Sequence, residues 1–102
     1  MKILVDECLP LDFRHCFPGH EVHTAVWAGL AGEKNGDLLR CAELAAYDVL
    51  LTVDHSLPYQ QNLARRKLAI VTIRSRTNQI EDLLPFVGTI LRALETLANR
   101  AV

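Results

Sequence analysis

Short apolar runs alternate with polar, glycine-bearing stretches along the chain, and the runs differ in period. Lys2 to Asp6 (KILVD) is a continuous apolar run ending on an acid, the pattern of a buried strand. Pro10 is placed at the first turn of a short helix through Leu11, Phe13 and Cys16, which Pro18-Gly19 ends. Glu21 to Ala25 reads as a second strand. Val26 to Gly36 holds three glycines and little periodicity, so it reads as loop or a single helical turn that could form a lip over a site. From Asp37 the apolar residues Leu38, Leu39, Ala42, Leu44, Ala45 and Ala46 fit a helix, with Asn35 and Asp37 available to cap it. Asp48 to Val53 is a third strand and Tyr59 to Arg66 a short helix. Leu68 to Ile73 is a fourth strand, and Ile80 to Ala98 a long amphipathic helix with Pro85 near its start. This order predicts an α/β fold spanning residues 1–102 as one domain. Its core is a parallel four-stranded sheet with helices on both faces and right-handed crossovers.

Composition narrows the setting. A chain of 102 residues, half of them apolar, can bury one modest core. No apolar run is long enough to cross a membrane, and an acid arrives at Asp6, too early for a signal peptide. A soluble, cytoplasmic protein is therefore expected. Three cysteines, Cys8, Cys16 and Cys41, without CxxC spacing argue for reduced thiols rather than a disulfide framework. A formal charge of −1 gives no global basic footprint, so contact with nucleic acid would rest on local patches.

The candidate chemistry lies where strands end. The first strand stops at Asp6-Glu7 and the third at Asp54, and in a parallel sheet the carboxyl ends of the strands share one edge, where ligands bind. Carboxylates brought together repel unless a proton or cation sits between them, so the pair reads as a metal site, with helix capping the plainer alternative. Two other patterns are weaker. Cys16, His20 and His23 fall within eight residues, but His20 and His23 are three apart in a predicted strand and point to opposite faces. Cys8 to Arg14 matches the C-x5-R spacing of a phosphatase loop; Pro10 removes one N–H donor, Asp12 repels phosphate and no glycine lets the backbone curl.

The opening ILVDECLP, the later D-L-L-x-x-A helix and the L-x-T-x-D strand end resemble the small PIN-like proteins. These are a branch of the PIN nuclease fold found as toxins beside a small antitoxin protein. The resemblance covers nearly the whole chain and implies a three-layer α/β/α PIN-like domain. It further implies a ribonuclease that uses Mg²⁺ or Mn²⁺ to hydrolyse single-stranded RNA. By this likeness Asp6, Asp37 and Asp54 are the metal-binding acids, Thr52 orients the last of them, and Arg74 matches an arginine that follows the fourth strand. The chain departs from the family pattern in having Cys8 where Asn is common and Ser56 where an acid is expected.

Under that reading Glu7 positions the attacking water or acts as general base. Arg74, Arg76 and the run Arg65-Arg66-Lys67, with Arg14-His15, contact phosphates without reading sequence. Trp27 stacks on an unpaired base or packs in the core. The rival reading is a PIN-like module that has lost turnover and binds a partner protein, which Ser56 favours. A third is a receiver-like phosphoacceptor domain, with Asp54 phosphorylated and Pro58 four positions later; the absence of any lysine after Lys67 weighs against it. The last helix carries Ile80, Leu83, Leu84, Val87, Ile90, Leu91, Leu94 and Leu97 at helical spacing, enough to cover the sheet and offer a homodimer interface.

Overall fold

The computed structural model describes residues 1–33, 35–54 and 67–100. The helix expected over Tyr59 to Arg66, and with it Ser56, Arg65 and Arg66, lies outside the described residues. Four strands, β1 (Lys2–Val5), β2 (Glu21–Thr24), β3 (Val49–Thr52) and β4 (Ala69–Thr72), form one sheet in the order β2-β1-β3-β4. Every neighbouring pair is parallel, as the alternating pattern predicts. Residues 73–100 contain no strand, so no fifth strand of the receiver type follows β4.

The two central strands read as unbroken apolar runs because both of their faces are covered. All four residues of β3 are buried, as are Ile3, Leu4 and Val5 of β1. Side-chain alternation along the strands splits the core in two. Ile3, Val5, Val49 and Leu51 pack with Phe13, Phe17, Leu83, Ile90 and Leu94. Leu4 and Leu50 join Leu38, Leu39, Ala42, Tyr47 and Leu68 in a second cluster. The register Ile3↔Val49, Leu4↔Leu50, Val5↔Leu51 sets like-facing residues side by side across the seam.

The connections follow from these faces. A 3-10 turn at Leu11–Cys16 links β1 to β2 on the first cluster's side; its buried anchor Phe13 meets Phe17 edge-on, with ring centroids 5.1 Å apart. Helix α1 (Asn35–Leu44) links β2 to β3 over the second cluster. It ends where Ala46 turns left-handed (φ 66°), with Ala46 N–H donating to Glu43 O and Tyr47 N–H to Ala42 O. That closure satisfies the terminal carbonyls and sends Tyr47 back into the core.

One element differs from the pattern. Instead of a continuous helix from Ile80 to Ala98, the chain forms α2 (Ile80–Leu83), a 3-10 turn (Leu84–Phe86) and α3 (Val87–Arg100). Pro85 has no N–H to give the α ladder and its ring crowds the carbonyl a turn earlier, so the apolar spacing continues while the hydrogen bonding breaks.

Candidate functional site

Strand order locates the site. From β1 the chain steps sideways to β2, then crosses back to β3 on β1's other flank, so the strand order reverses at β1 and β3, the place where parallel sheets bind ligands beyond their carboxyl ends. Asp6 follows β1 directly, and Asp54 lies two residues beyond the end of β3, at that same edge.

Asp6 is only 9% exposed, and its carboxylate is held by three donors. Oδ1 accepts the Glu7 N–H at 2.8 Å, while Oδ2 accepts the Thr52 hydroxyl at 2.7 Å and the Cys8 thiol at 3.5 Å. Thr52, fully buried, also accepts the Asp54 N–H on the same Oγ1 at 3.0 Å. A single hydroxyl thus ties the ends of both central strands together. Because valine has the same shape without that hydroxyl, Thr52→Val should destabilise the fold by about 1–3 kcal/mol through the donors and acceptors it orphans. Thr52→Ser should recover most of the loss, and urea melts of the three proteins measure it.

Cys8, at first sight a poor stand-in for Asn, donates to Asp6 and lies 3.7 Å from Thr52 Oγ1. Burial pushes its thiol above the ordinary range; a hydrogen bond from the Val53 backbone opposes this and the Asp6 charge adds to it. A phosphatase-type thiolate is therefore disfavoured, and Arg14 turns back to its own Leu11 carbonyl at 2.6 Å.

The other expected residues divide. Glu7 is exposed, and both its carboxylate oxygens receive the Gly32 N–H, at 3.2 and 3.3 Å. Gly32 sits at φ +86°, so the backbone presents that N–H from a conformation only glycine adopts freely. The glycine-rich stretch is thereby pinned to the rim of the site. Asp37 stands exposed in the first turn of α1 and pairs with Arg40 at 2.9 Å instead of meeting Asp6. Arg74 and Arg76 are exposed just beyond the carboxyl end of β4, Arg74 beside a cleft of about 250 Å³ with Thr72, Ile73 and Phe86. Lys67 precedes β4 and so lies at the opposite, amino edge of the sheet. It shares a cleft there with Arg40, Tyr47 and Asp48.

Trp27 is not in the core: it is 70% exposed and stacks on His23 at a centroid distance of 4.1 Å. His23 Nδ1 bonds the Tyr47 hydroxyl at 2.8 Å, whereas His20 Nδ1 faces the Met1 amine at 3.1 Å. Asn78, a residue the sequence offered no reason to single out, donates from its amide to the Cys8 carbonyl at 2.9 Å and brings the segment after β4 against the site.

The oxygen donors gathered at this edge are of the type that suits Mg²⁺ or Mn²⁺, ions that take one or two carboxylates and keep several waters. Among the described residues no three His, Cys, Asp or Glu side chains converge as a ready metal cage. Comparison with family models, with curated proteins and with solved structures finds no match to this chain.

Proposed function

We propose that the chain is a three-layer α/β/α PIN-like domain and a metal-dependent ribonuclease that hydrolyses single-stranded RNA, the toxin partner of a small antitoxin protein. The observation that carries this reading is the state of Asp6. A carboxylate nine-tenths buried is expensive unless a positive charge compensates it. Every donor to Asp6 is neutral, and no cationic side chain among the described residues pairs with it. Two carboxylate oxygens offer about four acceptor positions. The three donors leave room for a hard cation on Asp6, with Asp54 on the neighbouring strand end.

A bound Mg²⁺ or Mn²⁺ supplies a water of lowered pKa and neutralises charge on the phosphate. The chain's residues do the rest. Asp6 and Asp54 would hold the ion, and Asp37 would be the third acid once freed from Arg40. Glu7, anchored by Gly32, orients a water at the rim, and Arg74 and Arg76 engage phosphates from the end of β4. Calorimetric Mn²⁺ titration followed by cleavage of a mixed-sequence single-stranded RNA tests this. Metal-dependent cutting is expected, and absence of Mn²⁺ binding overturns it. Arg40→Gln releases Asp37 from an exposed pair that contributes at most about 1 kcal/mol, so it should tighten Mn²⁺ binding by no more than about fivefold.

The pairing of Asp37 with Arg40 also favours a second reading, a PIN-like module without turnover that binds a protein. Wild-type protein and Arg40→Gln that both bind no Mn²⁺ and cut no RNA, while the fold is intact, would select it.

A further inference from the structure

Most of the stripe on the last helices covers the molecule's own core: Ile90 and Leu94 belong to the first cluster, and Val87, Leu91 and Leu97, partly buried, pack against it. Large apolar side chains remain exposed at Leu11, Val26, Trp27, Leu44 and Leu84. Three of these, Leu11, Val26 and Trp27, converge with Val22 and His23 on a cleft of about 430 Å³ along the outer edge of β2. In the order β2-β1-β3-β4 that edge has no neighbouring strand among the described residues. An open edge flanked by apolar side chains is a template for strand addition.

We propose that β2 pairs antiparallel with β2 of a second copy, across a two-fold axis at Val22, joining two sheets into one. The backbone sets this register. Glu21 N–H donates to Met1 O and Ala25 N–H to Val5 O, so the odd positions of β2 face β1 and the even ones face outward. Of the outward groups, the Thr24 carbonyl is already taken by the Ala28 N–H and the Thr24 hydroxyl by the Trp27 N–H. Val22 keeps both its N–H and its C=O without a partner among the described residues. A two-fold at Val22 lets the two copies exchange both bonds.

That register sets Glu21 directly across from His23 of the partner subunit, and the reverse. The pair is complementary in hydrogen bonding, an imidazole N–H facing a carboxylate, at positions where cross-strand side chains approach most closely. His23 is prepared for it. Its Nδ1 is held by Tyr47, and its Nε2 lies 3.7 Å from its own Glu21, too far for a hydrogen bond, leaving that nitrogen for the partner's Glu21. Val22 meets its symmetry mate on the face that carries Leu11, while Trp27 covers His23 on the other. The surface is self-complementary, as a two-fold interface must be.

Light scattering on a sizing column, loaded between about 5 and 500 μM to span a small interface, reads the mass directly. The wild type should rise from 11.4 kDa toward twice that value. Trp27 is the sole tryptophan, so its emission should shift to the blue over the same concentrations. Val22→Pro deletes an outward N–H and fills the seam with the ring while sparing the bonds to β1. It should be monomeric with an unchanged far-ultraviolet spectrum. Glu21→Lys, at an exposed position that does not endanger folding, should weaken the dimer roughly tenfold by placing a cation opposite His23 of the partner subunit. A wild type monomeric throughout, with Trp27 emission quenched by single-stranded oligouridylate, would assign the cleft to a nucleobase and overturn the dimer. A dimer insensitive to both substitutions would overturn it too.

Discussion

Asp6→Asn is expected to abolish Mn²⁺ binding and RNA cleavage while leaving the metal-free protein as stable as the wild type or more so. The substitution preserves volume and removes the charge. One amide oxygen can keep the Glu7 N–H, and the Thr52 hydroxyl can reverse to accept from the new amide, as it already accepts from the Asp54 N–H. Lost hydrogen bonding is offset by relief of a buried carboxylate that neutral groups alone support. The readout is thermal. A ligand present at a hundred times its dissociation constant stabilises the fold by about 2.7 kcal/mol, which for a domain of this size is roughly 10–20 °C in Tm. Mn²⁺ should raise the wild-type Tm by that order and leave Asp6→Asn unmoved. If the variant's Tm climbs with Mn²⁺ as the wild type's does, the ion sits elsewhere and the proposed site is wrong.

Such a reversal, stability without function, depends on tertiary structure that was only partly written in the local sequence. The two central strands were legible because Ile3 to Val5 and VLLT are apolar on successive positions, and only a strand covered on both faces needs that. The shared edge of Asp6, Thr52 and Asp54 was legible for the same reason, since parallel strands send their carboxyl ends to one place. What local pattern could not contain were contacts between distant segments. The Asn78 amide on the Cys8 carbonyl joins residues 70 apart, and no periodicity announces it. Nor does any pattern announce the Gly32 N–H on Glu7. Asp37 looked like a metal ligand by position, yet three residues along the same helix Arg40 offers a nearer cation. Lys67 was grouped with Arg65 and Arg66 as one basic run, but a residue just before a strand belongs to the amino edge, away from the acids. Pro85 was visible and its consequence was understated: apolar spacing alone does not distinguish one helix from a single turn and a longer helix joined by a 3-10 turn.

Phe13→Ala is expected to cost about 3–5 kcal/mol, the largest stability loss of any substitution considered for this chain. Phe13 is fully buried, among the largest side chains so placed, and it meets Phe17 at 87° with centroids 5.1 Å apart. Truncation removes its apolar contacts, leaves a void under β1 and β3, and forfeits the edge-to-face attraction, which by itself contributes about 0.5–1.5 kcal/mol. The backbone around it has little strength of its own. The turn at Leu11–Cys16 is a 3-10 segment with no side-chain cap on its N-terminus, so its position depends on what Phe13 and Phe17 bury. A domain of this size has about 5–15 kcal/mol in all, and Tm should fall by roughly 15–30 °C. Leu44→Ala provides the contrast: that side chain is 81% exposed and should change stability by less than about 0.5 kcal/mol. Urea melts of both variants decide the matter. If Phe13→Ala behaves like Leu44→Ala, the first cluster does not hold the β1–β2 connection. In that case Asp6, which leaves β1 three residues before Leu9 enters the same cluster, is positioned by the pairing with β3 and by its own hydrogen bonds, that from Thr52 among them.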